Sequence, residues 1–297
     1  MEQIKQPEKK SWYDRWYKIL LAIPVVIMLI SLIYLGVFYS KNHTFMFRDV
    51  SLSGGTTITL KGNIDSANLE SQLKNKFSDI EFKKLTDLTT GNPVAFVIES
   101  STTPDELKAG VEEILGYKLT DENSSIEFTG PSLSQSFYKQ LLIALVISFV
   151  LMSLVIFILF KSFIPSIAVI FAAFSDIIMP LALLDFLEIK ISAAGIAAFL
   201  MLIGYSVDTD ILLTSRALKK VEGKLNERIY GAFKTGIFMT ITALLAVLPA
   251  FFIVTGLPDS FRQIFLILSL GLGADIINTW LTNASIIKLY CTKKGIK

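Results

Sequence analysis

Five ionisable residues stand inside stretches that are otherwise apolar: Asp176 in "FSDIIMPLALL", Asp208 and Asp210 in "IGYSVDTDILLTSR", Lys234 in "GAFKTGIF", and Asp275 in "GLGAD". A lone aspartate at the centre of a membrane helix costs about 2.5 to 3.5 kcal/mol on insertion scales, so each needs a partner, water or a function. The protonation of a carboxylate in low dielectric responds to burial and to a nearby lysine, so such a set could couple proton uptake to helix rearrangement. A structural reading stands beside it. An Asp–Lys pair, or aspartates bonded to Ser and Thr of a neighbour, could simply join helices, and Lys234 near a span start could snorkel to the headgroups. Gly271 and Gly273 read first as a packing face.

The elements that carry these residues are legible from length and hydropathy. Hydrophobic residues make up 52% of the 297, and the mean hydropathy is +0.57, above the level of a soluble domain. Six runs, 19–39, 140–160, 164–187, 191–214, 235–255 and 262–287, are long enough to cross a bilayer core, which takes about twenty helical residues. The first is expected to stay as an anchor, since its apolar stretch is long for a cleaved signal and no small-x-small site follows Tyr39.

Other chemistries are poorly provided for. A net charge of +2, with cations in short flanks rather than one stripe, argues against nucleic acid. One cysteine, Cys291, and one histidine, His43, leave no intrachain disulfide, no Cys/His metal cluster and no Ser-His-Asp set within the membrane. There is no P-loop glycine pattern, and no cofactor is expected. "GLGAD" comes near the Gly-x-Gly-Asp of intramembrane aspartyl proteases, but the spacing is off by one, and the Tyr-Asp pair Tyr13–Asp14 lies in a flank. The expectation is a protein that is not an enzyme.

Residues 41–136 have ordinary soluble composition and read as a separate domain. "TTITLKG" alternates as a strand, and "DSANLESQLKNKF" carries Leu69, Leu73 and Phe77 at helical spacing behind Asp65. "DIEFKKL" and "VAFVIES" are strands either side of Thr-Gly-Asn-Pro turn chemistry. "TTPDELKAGVEEIL" follows, with Thr103 as N-cap, Pro104 at the first helical position and Glu106 at the capping-box position; "SSIEFTG" closes the order. The pattern β-α-β-β-α-β predicts a ferredoxin-like α+β domain.

Short-loop cations set the orientation. Lys5, Lys9, Lys10, Arg15 and Lys18 (flank 1–18), Lys161, the cations of the basic linker 215–234, and Lys288, Lys293, Lys294 and Lys297 (tail 288–297) all fall on one side. This places both termini in the cytoplasm of a multi-pass cell-membrane protein. The α+β domain, with 9 Lys/Arg against 14 Asp/Glu, falls outside.

At 1.5 Å per residue, Asp176 is ~22 Å from Lys161 and Asp275 ~21 Å from Phe261, near mid-membrane, whereas Asp208 and Asp210 lie only ~9 to 12 Å from Arg216. Lys234, ~9 Å past Arg228, sits at a comparable level, so a cation and two carboxylates could meet there. Two residues apart means about 200° of rotation, so Asp208 and Asp210 point in different directions. Asp208 shares its face with Ala197 and Gly204, Asp210 with Ser206 and Thr214.

Four stretches, in order, resemble the SecF proteins of the SecD/SecF export family, in wording nearest the archaeal branch: "LSGGTTITL", "FTGPSLSQSF", "FSDIIMPLALL" and "IGYSVDTDILLTSR". The resemblance implies half of a resistance-nodulation-division-type unit of twelve helices, with six spans and an external domain. It implies a SecD-like six-span partner, a neighbouring SecY channel, an unfolded exported polypeptide as substrate, and the proton-motive force as energy source. Aligned without gaps, the family's Asn-Asp pair falls on Asp208 and Thr209, which leaves Asp208 and Asp210 both as candidates for the relay. Lys234 matches an expected arginine, and Asp176 matches without shift. A half-transporter for lipid or small hydrophobic molecules, and a passive membrane scaffold, are the alternatives.

Overall fold

The computed structural model describes residues 12–62, 64, 66–86, 92–218, 223–253 and 259–296. Helix α1 (Trp12–Asn42) leads through the short α2 (Val50–Ser53) into an α+β domain: β1 (Gly55–Lys61), α3 (Ser66–Lys76), β2 (Ile80–Thr86), β3 (Pro93–Ser100), α4 (Pro104–Leu115) and β4 (Ser124–Thr129). Five further helical elements follow: α5 (Pro131–Phe160), α6 (Phe163–Phe186), α7 (Ala193–Leu218), α8 (Leu225–Ile253) and α9 (Asp259–Ile277). A π-helical turn (Asn278–Asn283) then joins α9 to α10 (Ala284–Lys293). Six helices among the described residues are long and apolar enough to cross a membrane, the last being α9, the π turn and α10 together.

The expected α+β order is the observed one. The sheet runs β2-β3-β1-β4, antiparallel throughout, which puts the first and third strands at its centre as a ferredoxin-like domain does. Alternation in β1 and β3 turns Ile58, Leu60, Phe96 and Ile98 to one face, where they meet Leu69 and Leu73 of α3 and Leu107 and Val111 of α4. Thr103 is the N-cap residue of α4 and Pro104 opens it, although no Thr103 side-chain bond closes the cap. Asp65 and residues 87–91, which include the first two residues of the expected Thr-Gly-Asn-Pro turn, lie outside the described residues, as do Lys5, Lys9, Lys10 and Lys297.

Two of the quoted stretches meet in space. Gly54 and Gly55 have φ of +85° and +143°; a Cβ on Gly54 would lie 2.6 Å from Pro131 Cα, and one on Gly55 2.3 Å from the carbonyl oxygen of Ser100. "SGGTT" and "TGPS" are thus one joint, where the first strand leaves α2 and α5 returns to the bundle, and backbone crowding excludes any side chain.

In the bundle α6 and α7 are the most enclosed helices, α9 packs on both, and α5 and α8 lie at the margins with little of their surface buried. The helices overrun the apolar windows. Of the stretch 215–234 read as a basic linker, α7 takes the first four residues and α8 begins at Leu225; residues 219–222 lie outside the described residues. The cause is a second periodicity: Leu225, Ile229 and Ala232 share a helix face and bury against Trp280 and Ile287, so α8 folds before it reaches the apolar region.

Gly55→Ala should destabilise the purified full chain by at least about 1–3 kcal/mol, the cost of a strained backbone with a backbone clash added. Gly36→Ala, where a Cβ meets nothing within 4 Å, should leave the thermal midpoint in detergent unchanged or raise it.

Candidate functional site

Three carboxylates from three packed helices share one buried polar layer: Asp176 of α6, Asp210 of α7 and Asp275 of α9, each 0% exposed. Among the described residues no ion pair reaches any of them. Their partners are hydroxyls and amides. Ser206 donates its hydroxyl to Asp176 Oδ2, and Asn278 Nδ2 donates to Asp176 Oδ1 at 2.7 Å. Thr209 Oγ1 donates to Asp275 Oδ1 at 2.9 Å, and Thr240 Oγ1 approaches Asp275 Oδ2 at 3.3 Å. Asn283 Nδ2 donates to Asp210 Oδ1 at 2.7 Å and approaches Thr214 Oγ1 at 3.3 Å.

Thr279 makes the layer continuous. Its Oγ1 lies 2.9 Å from Asp210 Oδ1 and 2.8 Å from Asp275 Oδ1. A hydroxyl carries one hydrogen, so one of these two contacts lacks a donor unless a carboxyl supplies it. Thr209 is in the same position, its single hydrogen facing both Asp275 Oδ1 and the Ser206 carbonyl oxygen at 2.8 Å. The layer is therefore short of hydrogens at Thr209 and Thr279, the two hydroxyls that join Asp275 to its neighbours, whereas both oxygens of Asp176 have a donor.

The backbone explains how one helix serves both neighbours. Asp275, Thr279 and Asn283 are spaced four apart, one polar stripe in an apolar span. The π turn widens the helix where this stripe crosses α7, so Thr279 and Asn283 both reach the same Asp210 oxygen. Close approach is secured by glycine: a Cβ on Gly271 would fall 2.2 Å from Leu202 of α7, and one on Gly236 of α8 2.3 Å from the Trp280 ring.

Of the five expected residues, the fold gathers three. Asp208 is exposed on the outer face of α7, about 200° from Asp210, beside Gly204, which is also exposed and has no atom within 4 Å of where a Cβ would stand. Lys234 does not meet the aspartates. It is exposed on α8 with its Nζ 4.9 Å from the centre of the Tyr230 ring. The rotation of α8 is fixed by Gly236 against Trp280 and Thr240 against Asp275, and Lys234 lies about 200° and 240° from those residues. Ser206, Thr209, Asn278, Thr279 and Asn283 were not expected as site residues. The four-residue spacing Asp275, Thr279, Asn283 is a signal that could have found Thr279 and Asn283.

Two hollows lie outside this layer. A cleft of about 680 Å³ separates the open face of the sheet from the adjacent helix ends and carries both signs of charge, from Asp49, Glu81 and Glu99 to Lys83, Lys190 and Arg262. A shallow apolar groove of about 280 Å³ runs between α1 and α6, past Leu21, Val25 and Phe171. Burial holds the Asp49 and Glu99 carboxyls above the usual carboxylate range, Asp49 despite its bonds from Ser51, and Glu99 despite Lys83.

Residues 112–293 match the family described as protein export membrane protein SecD/SecF, C-terminal. The chain is 40% identical to the protein-export membrane protein SecF of Methanothermobacter thermautotrophicus over 92% of each chain. It is 35% identical to that of Methanocaldococcus jannaschii over 95% of this chain and 98% of the relative. Among solved structures it is similar to SecDF, a translocon-associated membrane protein from Thermus thermophilus, with a TM-score of 0.74 at 16% identity. It is also similar to SecDF in the super-membrane-facing form, with a TM-score of 0.64 at 17% identity. These cover 96% and 97% of this chain but only 39% and 40% of those chains, so the likeness is of fold, and the chain spans about two-fifths of SecDF. Full-length matches to the SecF proteins, joined to the six spans and the split α+β domain, place this chain in the SecD/SecF family of protein-export membrane proteins.

Proposed function

We propose that this chain is an accessory subunit of the Sec translocase, working with a SecD-like six-span partner beside the SecY channel to draw exported polypeptide across the cell membrane. The proton-motive force is the energy source, no catalytic chemistry is involved, and both termini are cytoplasmic. The observation that carries the reading is the hydrogen-poor layer of Asp176, Asp210 and Asp275. Burying an uncompensated charge is expensive, and no lysine or arginine among the described residues offsets these three. Protons are the natural compensation. One arriving on Asp275 or Asp210 supplies the hydrogen that the Thr279 contacts lack and changes which groups on α7 and α9 are bonded. Along α7 the layer reaches from Ser206 to Thr214, ~12 Å of the membrane depth.

The partner is supported by Asp208. A carboxylate facing hydrocarbon costs about 2.5 to 3.5 kcal/mol, and Gly204 one turn away leaves room for a second helix to approach closely. Such a face suits another subunit better than lipid. The half-transporter reading has less behind it, because the lateral groove between α1 and α6 is shallow and its lining offers no polar side chain to orient a ligand.

Substituting Asp210, Asp176 or Asp275 with asparagine should cut the rate of proton-driven export in vesicles at least tenfold while the complex still assembles. Asp208→Asn should act instead on copurification of the six-span partner. Normal export by all three buried variants would leave the scaffold reading standing. Thr279→Val keeps the shape and removes the shared hydroxyl. It should lower both export and the stability of the chain, the latter by about 1–3 kcal/mol in thermal unfolding, against a change within about 0.5 kcal/mol for Thr242→Val at an exposed site.

A further inference from the structure

The polar layer lies deep in the bundle, whereas the sheet stands beyond the helix ends, so any action of one on the other needs a physical path. The segment between α6 and α7, residues 187–192, is bonded on three sides. Toward the start of the α+β domain, Ile191 N donates to the Phe47 carbonyl at 2.7 Å, Asp49 N to the Ile191 carbonyl at 3.1 Å, and Ala193 N to Ser51 Oγ at 3.1 Å. Phe47 N also donates to Asp185 Oδ1 at the end of α6, at 3.1 Å. Toward the sheet, Lys190 Nζ lies 2.9 Å from Glu81 and 3.5 Å from Asp79.

The third side is Gln263 of α9. Its Oε1 accepts from Ser192 N at 2.7 Å and from Ser192 Oγ at 2.5 Å, and its Nε2 donates to the Lys190 carbonyl at 2.5 Å. The amide sits so close to the start of α7 that a Cβ on Gly195 would lie 2.6 Å from Oε1. Gln263 and Asp275 are twelve residues apart on one continuous helix without proline, ~18 Å along its axis. We propose that Gln263 is the positioning residue that couples the buried aspartates to the extramembrane domain: it clips the α6–α7 segment to α9, so that a shift of α9 at the polar layer is delivered to the sheet through Lys190 and residues 47–51. This rests on the reading of the aspartate layer as the site where protons act.

The two links differ in kind. The Gln263 clasp is neutral and engages both ends of the amide, so salt and pH leave it in place. The Lys190 link is ionic and partly exposed, a contact weak enough to break and remake. Burial works against the Lys190 ammonium, but the bond and charge of Glu81 and the charge of Asp79 outweigh it and hold its pKa above the ordinary lysine value. It therefore keeps its charge through neutral pH.

The test uses the full chain reconstituted in liposomes with its copurified partner. Spin labels on Ser71→Cys in α3 and Lys161→Cys at the opposite end of the bundle report the distance between domain and bundle; the native Cys291 is buried. An imposed proton gradient should shift the distance distribution of the otherwise unaltered chain. Gln263→Leu should abolish that shift and lower export at least tenfold, with normal partner copurification. Gln263→Glu, which keeps the acceptors for Ser192 but cannot donate to the Lys190 carbonyl, should fall between. Lys190→Glu should weaken the response, and adding Glu81→Lys should restore it, a rescue that a purely structural role would not give and that stands even if Gln263→Leu fails to fold. A Gln263→Leu chain that folds and keeps the full shift overturns the coupling and leaves the proposed function intact. A gradient that moves the labels in neither chain overturns both.

Discussion

Three carboxylates enclosed between α6, α7 and α9, with no cation among the described residues to balance them, set the terms for the rest of the bundle. Low dielectric makes every unmet oxygen expensive, so the neighbouring helices must bring hydroxyl and amide donors within hydrogen-bond range. That requirement places Ser206 and Thr209 on the inner face of α7, Thr279 and Asn283 on the stripe below Asp275, and Asn278 beside that stripe against Asp176. It also demands helices in near contact. Glycine at 236 and 271 allows this where α8 meets the Trp280 ring and α9 meets Leu202. The π turn completes the arrangement by keeping two donors, four residues apart, aimed at one Asp210 oxygen.

The same helix that closes this layer opens the molecule to another. Asp210 and Asp208 are two residues apart on α7, and the geometry of an α-helix sends one inward and the other out. Asp208 is exposed on the outer face of α7, and Gly204 one turn away has no atom within 4 Å of where a Cβ would stand. At the other end of α7 the α6–α7 segment meets the start of the α+β domain through backbone bonds at residues 47–51 and the Lys190 ion pairs, with Met46 and Leu52 buried among bundle side chains beside them.

The extramembrane domain was readable in advance because its signals are local. Alternation in "TTITLKG" and "VAFVIES", the Leu69, Leu73 and Phe77 spacing, and the Thr103-Pro104 start each reflect the period of a single element, and the β-α-β-β-α-β order then leaves few ways to build a sheet. The six spans were readable because a bilayer demands length and apolarity. Two expectations did not survive packing. The stretch 215–234 is largely helical, because Leu225, Ile229 and Ala232 bury against the last helix, and Lys234 is outside the layer, because Gly236 and Thr240 fix the rotation of α8.

What the sequence determined by itself was the set of spans, the spacing of the charged residues along each helix, and the fact that Asp208 and Asp210 could not share a partner. All of these follow from rise and rotation per residue within one helix. What only the tertiary structure decided was azimuth: which aspartate faces the core, that Asp275 and Thr209 meet where the family pattern led one to look for a carboxylate on α7, and that one threonine hydroxyl serves two acids. Rotation about a helix axis is set by contacts with other helices, through small residues such as Gly236 and Gly271, and those contacts join positions far apart in the chain. A single helix's periodicity carries no record of them.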